Sequence, residues 1–287
     1  MPVRNPRPLI IGAALALVSA AAVAAPPSPP AKGQAPARAA PTKSKLNLPA
    51  LQKSLESGDE AQAVQALETI ADSADASGAP LVEQLLGRGA SVTVLSRAIE
   101  TLGILAQPSS GAALAPYAQH RTPGLRRAAA RALIATKSPL AGGVLRRALH
   151  GNDPSLRAIA ARGLGELDVR AAVPELLTVL PKDVAEAAQS LGQLCVAAEC
   201  EKFAGMLGKL RFEVMESGMV PLLLRPQADV PDDLKLRLIE RLRRLATQPA
   251  NQLLQTALAK FPADGSPQVK VGLERALKGF SVMEGGK

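Results

Sequence analysis

Aromatic side chains are almost absent from this chain, which has no tryptophan, one tyrosine (Tyr117) and four phenylalanines in 287 residues. Proteins that hold single-stranded nucleic acid stack its bases on a series of ring faces, so nucleic acid is a poor candidate partner. Histidine is nearly as scarce, with only His120 and His150. A hydrolase triad or a histidine-based metal centre needs imidazole to move a proton or hold the ion. These two stand about one repeat apart, and no acid lies between Glu100 and Asp153. They read as surface residues near helix ends, where a cation suits the helix dipole. The chain carries no phosphate-binding P-loop, no dinucleotide-binding glycine fingerprint and no nucleophile elbow. No catalytic residue, metal site or cofactor is therefore predicted, and the chain reads as a non-enzyme.

What is present is apolar and small. Apolar residues make up 47% of the chain, mostly Ala, Leu and Val, which suits closely packed helices and supplies strands poorly. At the start, Arg4 and Arg7 precede an apolar run from Leu9 to Ala25 that ends in the small-x-small pattern Ala22-Val23-Ala24. This predicts a signal peptide over residues 1–24 and export to the periplasm or cell exterior. An uncleaved membrane anchor is the alternative, because the run is at the short limit of a membrane span. Residues 25–45 are rich in Pro and Ala, with Lys32, Arg38, Lys43 and Lys45 but no acid. Their composition predicts a disordered tether. With the six basic residues of the first 45 set aside, the net charge of +9 falls to +3, so the high pI is a weak argument for a polyanionic partner.

Residues 46–287 follow one register. Ile70, Leu102, Leu133, Leu164, Leu191, Leu242 and Leu277 recur at intervals of about thirty residues, apart from one of 51 between Leu191 and Leu242. Four residues before each anchor stand Ala66, Ala98, Ala129, Ala160, Ala187, Leu238 and Leu273. Twelve after come Val82, Leu114, Leu145, Leu176, Phe203 and Leu254, and sixteen after come Leu86, Ala118, Leu149, Leu180, Leu207 and Leu258. The anchor and the position four before it make a stripe on one helix, and the later pair marks a second helix. Breakers such as Gln107-Pro108-Ser109-Ser110-Gly111 and Lys137-Ser138-Pro139 separate the two. Thr122-Pro123, Asp153-Pro154 and Ser266-Pro267 mark helix starts. A lone hairpin cannot bury both faces, so the units must stack. The prediction is an all-α solenoid, a superhelix of about six to seven stacked helical hairpins, with one closing helix after Leu277. The long interval reads as a degenerate repeat or an extra helix.

The stretch Asp153-Pro154-Ser155-Leu156-Arg157-Ala158-Ile159-Ala160-Ala161-Arg162-Gly163-Leu164-Gly165-Glu166-Leu167 resembles the HEAT-like repeat first noted in phycobilisome lyases. The match is partial at residues 122–133 and 91–105 and weak elsewhere. The resemblance implies a HEAT-like solenoid that serves as a protein-binding scaffold or adaptor, and the export signal would put that role in the cell envelope. It also leaves open an enzyme or enzyme subunit similar to the phycobilin lyases, against which export and the missing acid–base set both argue. In such repeats Arg126, which falls 31 residues before Arg157, is a structural position.

Cys195 and Cys200 lie five apart, Cys195 ending a first helix and Cys200 preceding a second. In an oxidising compartment a disulfide is the natural proposal, with two free thiols as the alternative. Charge is segregated. Residues 54–87 hold seven acids (Glu56, Asp59, Glu60, Glu68, Asp72, Asp75 and Glu83) and no Lys or Arg, whereas residues 101–152 hold seven basic residues and no acid. Arg127, Arg131, Arg146 and Arg147 are the candidate binding residues, directed at a protein with an acidic surface or, head to tail, at the acidic unit of a second copy. An anionic polymer or lipid headgroup is a further candidate, and contact with a membrane is otherwise expected only through an uncleaved N-terminal segment. A solvated charged face with no ligand is the alternative to all of these.

Overall fold

The computed structural model describes residues 46–284. The signal peptide and tether read from the sequence lie outside the described residues. Among the described residues every regular element is helical.

Asn47 caps α1 (Leu48–Glu56) and Asp59 caps α2 (Glu60–Ser73), each side chain accepting from backbone amides of the first turn. There follow α3 (Ala79–Arg88), α4 (Val92–Leu105, capped by Ser91) and a broken second helix made of Pro108–Ser110, α5 (Gly111–Leu114) and Ala115–Gln119. Next come α6 (Pro123–Thr136), α7 (Ala141–Ala148), α8 (Pro154–Glu166), α9 (Val173–Val179), α10 (Ala185–Leu194) and α11 (Ala197–Ala204). These form five hairpins with the register read from the sequence. The order closes with α12 (Phe212–Leu224), α13 (Asp232–Leu245), α14 (Gln248–Ala259) and α15 (Pro267–Glu284).

The anchors and their partners form the core. All are buried except Leu207, Leu258 and Leu277, which are partly covered. Four residues beyond an anchor, Ala74, Ala106, Lys137, Asp168 and Ala246 each adopt a left-handed backbone with φ between 50° and 53°. The helix is thereby stopped at the same point of the unit each time. No glycine occupies these positions, although a side chain there costs on the order of 1 kcal/mol.

Successive even-numbered helices pack side by side from α2 to α14, and the contact between them is lined by small residues. A side chain added at Gly103 would press on Ala132, at Gly163 it would meet Ile134, and at Gly165 it would meet Ser190. At the α10–α12 contact the approach is backbone to backbone. A Cβ at Gly192 would collide with the Gly218 carbonyl, and one at Gly218 with the Ala188 carbonyl. Two buried hydroxyls tie neighbours across this seam. Thr101 donates to the Leu67 carbonyl (3.4 Å) and Ser190 to the Ala161 carbonyl (2.7 Å).

The long interval between Leu191 and Leu242 contains one extra helix, α12, which packs on α10 and on α14. The helix α13 packs on α15, while its Arg237 and Arg241 reach Glu201 and the Ala204 carbonyl of α11. A single inserted helix therefore exchanges the rows. By register α13 is a first helix, but in space it continues the odd-numbered row. The closing helix expected after Leu277 is not a separate element, because α15 carries Leu277 and itself runs on to Glu284.

Cys195 is the residue that ends α10, and Cys200 lies inside α11 instead of before it. Their Sγ atoms are at bonding distance (2.14 Å), with Cα atoms 5.1 Å apart, and both residues are buried. The bridged turn also holds the insert. Arg225 donates to the Cys195 carbonyl and pairs with the Asp229 carboxylate (3.2 Å), the Asp229 backbone carbonyl accepts from the Ala197 amide (3.4 Å), and Lys235 donates to the Arg225 carbonyl.

Two outcomes are expected. Gly192→Ala should destabilise the protein by about 3 kcal/mol, the upper end of ordinary overpacking costs, because the obstacle is backbone that cannot rotate away. Gly143→Ala, exposed in α7 with nothing within 4 Å of the added Cβ, should be stabilising by about 0.5–1 kcal/mol. Denaturant midpoints of the two variants measure this contrast. Intact mass after alkylation without reductant should show no free thiol in the oxidised protein; two alkylated cysteines would refute the bridge. Reduction should cost less than the roughly 3 kcal/mol of a 15-residue loop.

Candidate binding site

The turns that open α6 and α8 enclose a cleft of about 570 Å³. Its floor is apolar, with Ala118, Val144 and Leu156 all buried, and its walls carry Arg126, Arg127, Arg147 and Asp153. Asp153 organises the site. It caps α8 by accepting from the Leu156 amide (3.1 Å), and it receives Arg127 Nε (3.1 Å) and Arg126 Nη2 (3.4 Å) from the preceding hairpin. Burial alone would raise its carboxyl, but Arg127, the Leu156 amide and Arg126 outweigh that and hold it below the usual carboxylate value.

Arg126 also donates to the carbonyls of His120 (2.9 Å) and Arg121 (3.0 Å), and Arg157 repeats the move one unit later by donating to the Gly151 carbonyl (2.8 Å). Both arginines reach back six residues to the chain that enters their helix, as the structural reading of Arg126 implies. His120 belongs to the same turn. Its Nδ1 accepts from the Thr122 amide (3.1 Å), and its ring stacks on Tyr117, whose hydroxyl donates to the Leu86 carbonyl (2.7 Å). His150 is exposed.

The four arginines singled out from the sequence do not share a surface. Arg127 and Arg147 line the cleft at the hairpin junctions. Arg146 lines a different cleft beside Lys137, Gly142 and Asp168, where it pairs with Glu175. Arg131 lies on the outer side of α6 with Ile134, Ile159, Arg162 and Glu186. Arg127 and Arg146 are already neutralised within the fold, whereas Arg131 and Arg147 are exposed and form no ion pair among the described residues. The sequence reading missed Asp153 and Glu175, which lie 26 and 29 residues beyond the arginines they serve. That distance is close to one period, so the repeat itself was the signal that could have found them.

A further cleft of about 720 Å³ lies between the end of α12 and the starts of α13 and α15. There the buried Lys235 has its ammonium pKa pushed down by burial, against the opposing pull of Asp232. Its bond to the Arg225 carbonyl makes it a clasp for the insert.

These hairpins make a HEAT-like α-solenoid. No protein-family model matches the chain, and no curated protein matches it. Among solved structures it is similar to the CpcE–CpcF complex of phycocyanin lyase from Nostoc sp. PCC7120, at 15% identity, covering 88% of this chain and 100% of that one with a TM-score of 0.46. It is similar to an engineered protein at 18% identity, covering 82% and 78% with a TM-score of 0.49. Human deoxyhypusine hydroxylase is similar at 14% identity, covering 82% and 96% with a TM-score of 0.38. At these values the likenesses carry no function to this chain.

Because the Asp153 pKa is lowered, its contribution to stability is complete above the unfolded-state value of about 3.9 and is lost as pH falls through the lower folded-state value. Asp153→Asn keeps a capping oxygen but loses the charge. It should cost about 1–3 kcal/mol at pH 7 and should flatten the loss of stability below about pH 4. Urea midpoints at neutral and acidic pH check both statements.

Proposed function

We propose that this chain is a non-catalytic scaffold, exported to the cell envelope, that binds another protein. The observation that carries the reading is the cleft between the starts of α6 and α8. It joins a buried apolar floor to an exposed arginine, Arg147, whose charge the fold does not use. Export is supported by Arg4, Arg7 and the apolar run that ends at Ala25. The perturbed carboxylates support a non-catalytic role. Asp153, Glu175, Asp233 and Glu240 are all shifted downward by arginines, Glu240 to about 2 through Arg243 and Arg244. A general acid working near neutral pH needs the opposite shift.

In cells that make the full-length chain, the exported species should begin near Ala25. Immobilised, it should retain a protein from an envelope extract and release it as salt is raised, because exposed charges are screened over about 10 Å at 0.1 M salt. N-terminal sequencing and capture at two salt concentrations test this. A full-length membrane-held form would remove the cleavage step, and capture of nothing above a blank matrix would remove the scaffold.

A further inference from the structure

We infer that the partner is engaged through an acidic peptide segment that lies in the cleft between the starts of α6 and α8, with a carboxylate on Arg147 and an apolar side chain on the floor. This rests on the scaffold reading and names the chemistry of its partner.

Three observations point to that occupant. The first is charge. Arg126, Arg127 and Arg147 face a single acid, Asp153, so the cleft carries uncompensated positive charge, and Arg147 is exposed and forms no ion pair among the described residues. The second is the start of α6. Thr122 makes no side-chain hydrogen bond to that helix, unlike Asp153 at α8, so no capping side chain offsets the positive end of the α6 dipole beside Pro123, which lines the cleft. The third is an internal control. The same place two units earlier, opening α2 and α4, is a cleft of about 300 Å³ lined by Glu56, Asp59 and Glu60 with Arg88. There Gly89, Ser91 and Val94 hold the positions of Gly151, Asp153 and Leu156. Positive charge is thus not imposed by the repeat; it belongs to this junction. A planar anionic surface would meet Arg147 but leave the apolar floor empty, whereas an extended peptide can place a carboxylate and an apolar side chain together.

The test uses the mature chain and two labelled peptides, one of alternating glutamate and leucine and one of alternating lysine and leucine, read by fluorescence anisotropy. The acidic peptide should bind and the basic one should not. Arg147→Glu should weaken binding about tenfold or more, equivalent to 1.4 kcal/mol or more, and should reduce its dependence on salt. Arg147→Gln should fall between. Arg131→Glu changes net charge equally on another face and should have little effect. Unchanged thermal midpoints establish that the variants are folded. Equal loss with Arg131→Glu, binding of the basic peptide, failure of the acidic one, or Arg147-dependent binding only to phosphatidylglycerol vesicles would each overturn the assignment. So would an Arg147-dependent self-association, which would put a second copy in the cleft. An envelope protein captured equally by wild type and by Arg147→Glu would leave the scaffold standing and remove this site. Peptide binding with no protein captured would support the cleft and strike the scaffold.

Discussion

Everything in this fold depends on how closely consecutive even-numbered helices can approach. The seam at Gly103, Gly163, Gly165, Gly192 and Gly218 admits almost no side chain. The apolar register then has only to fill the space on either side. Close approach also explains why hydroxyls are tolerated in the core. Thr101 and Ser190 sit where a neighbouring carbonyl is in reach, so burying them leaves no polar group unpaired. Small side chains give up buried area, and the compensation is the number of units, since each stacked hairpin covers the exposed face of the one before.

The polar contacts obey the same period. Arg97 reaches Glu68 (3.0 Å), Ser110 reaches Glu83 (2.6 Å), Tyr117 reaches the Leu86 carbonyl and Arg127 reaches Asp153, with partners between 26 and 31 residues apart. Ion pairs on an open surface contribute little individually. Those between Arg97 and Glu68, Arg127 and Asp153, and Arg146 and Glu175 each join one unit to the next, so their effect is on geometry. Asp153 shows this best, because one carboxylate caps its own helix and holds two arginines of the unit before.

The register was legible in the sequence because burial on a helix leaves a periodic trace, and every anchor from Ile70 to Leu242 is buried as that trace requires. The cysteine pairing was legible for a similar local reason, since a helix must end between Cys195 and Cys200 for their sulfurs to meet. Two features were not. Periodicity says which side of a helix is covered but not which neighbour covers it, so the exchange of rows at α12 left no mark on Leu238 or Leu242. The candidate arginines were chosen as a run along the chain, whereas the fold distributes such a run around a hairpin and supplies its counter-ions from the next unit. Only Arg127 and Arg147 of the four meet in one cleft.

The row exchange at α12 makes the array sensitive to the parity of its helices. Adding or deleting a hairpin lengthens or shortens the stack and leaves every later helix on its own side. Adding one helix works as a frameshift does in a coding sequence, because each downstream element keeps its own register yet presents its opposite aspect to the surroundings. A ligand that tracked the first helices of the units from α2 to α10 would find second-helix surface, that of α14, once it had passed α12. The lone helix reverses the polarity of the array within one hydrophobic cluster that runs from Ala130 to Ala276, and the Cys195–Cys200 turn and the Arg225–Lys235 clasp stand at the point of reversal.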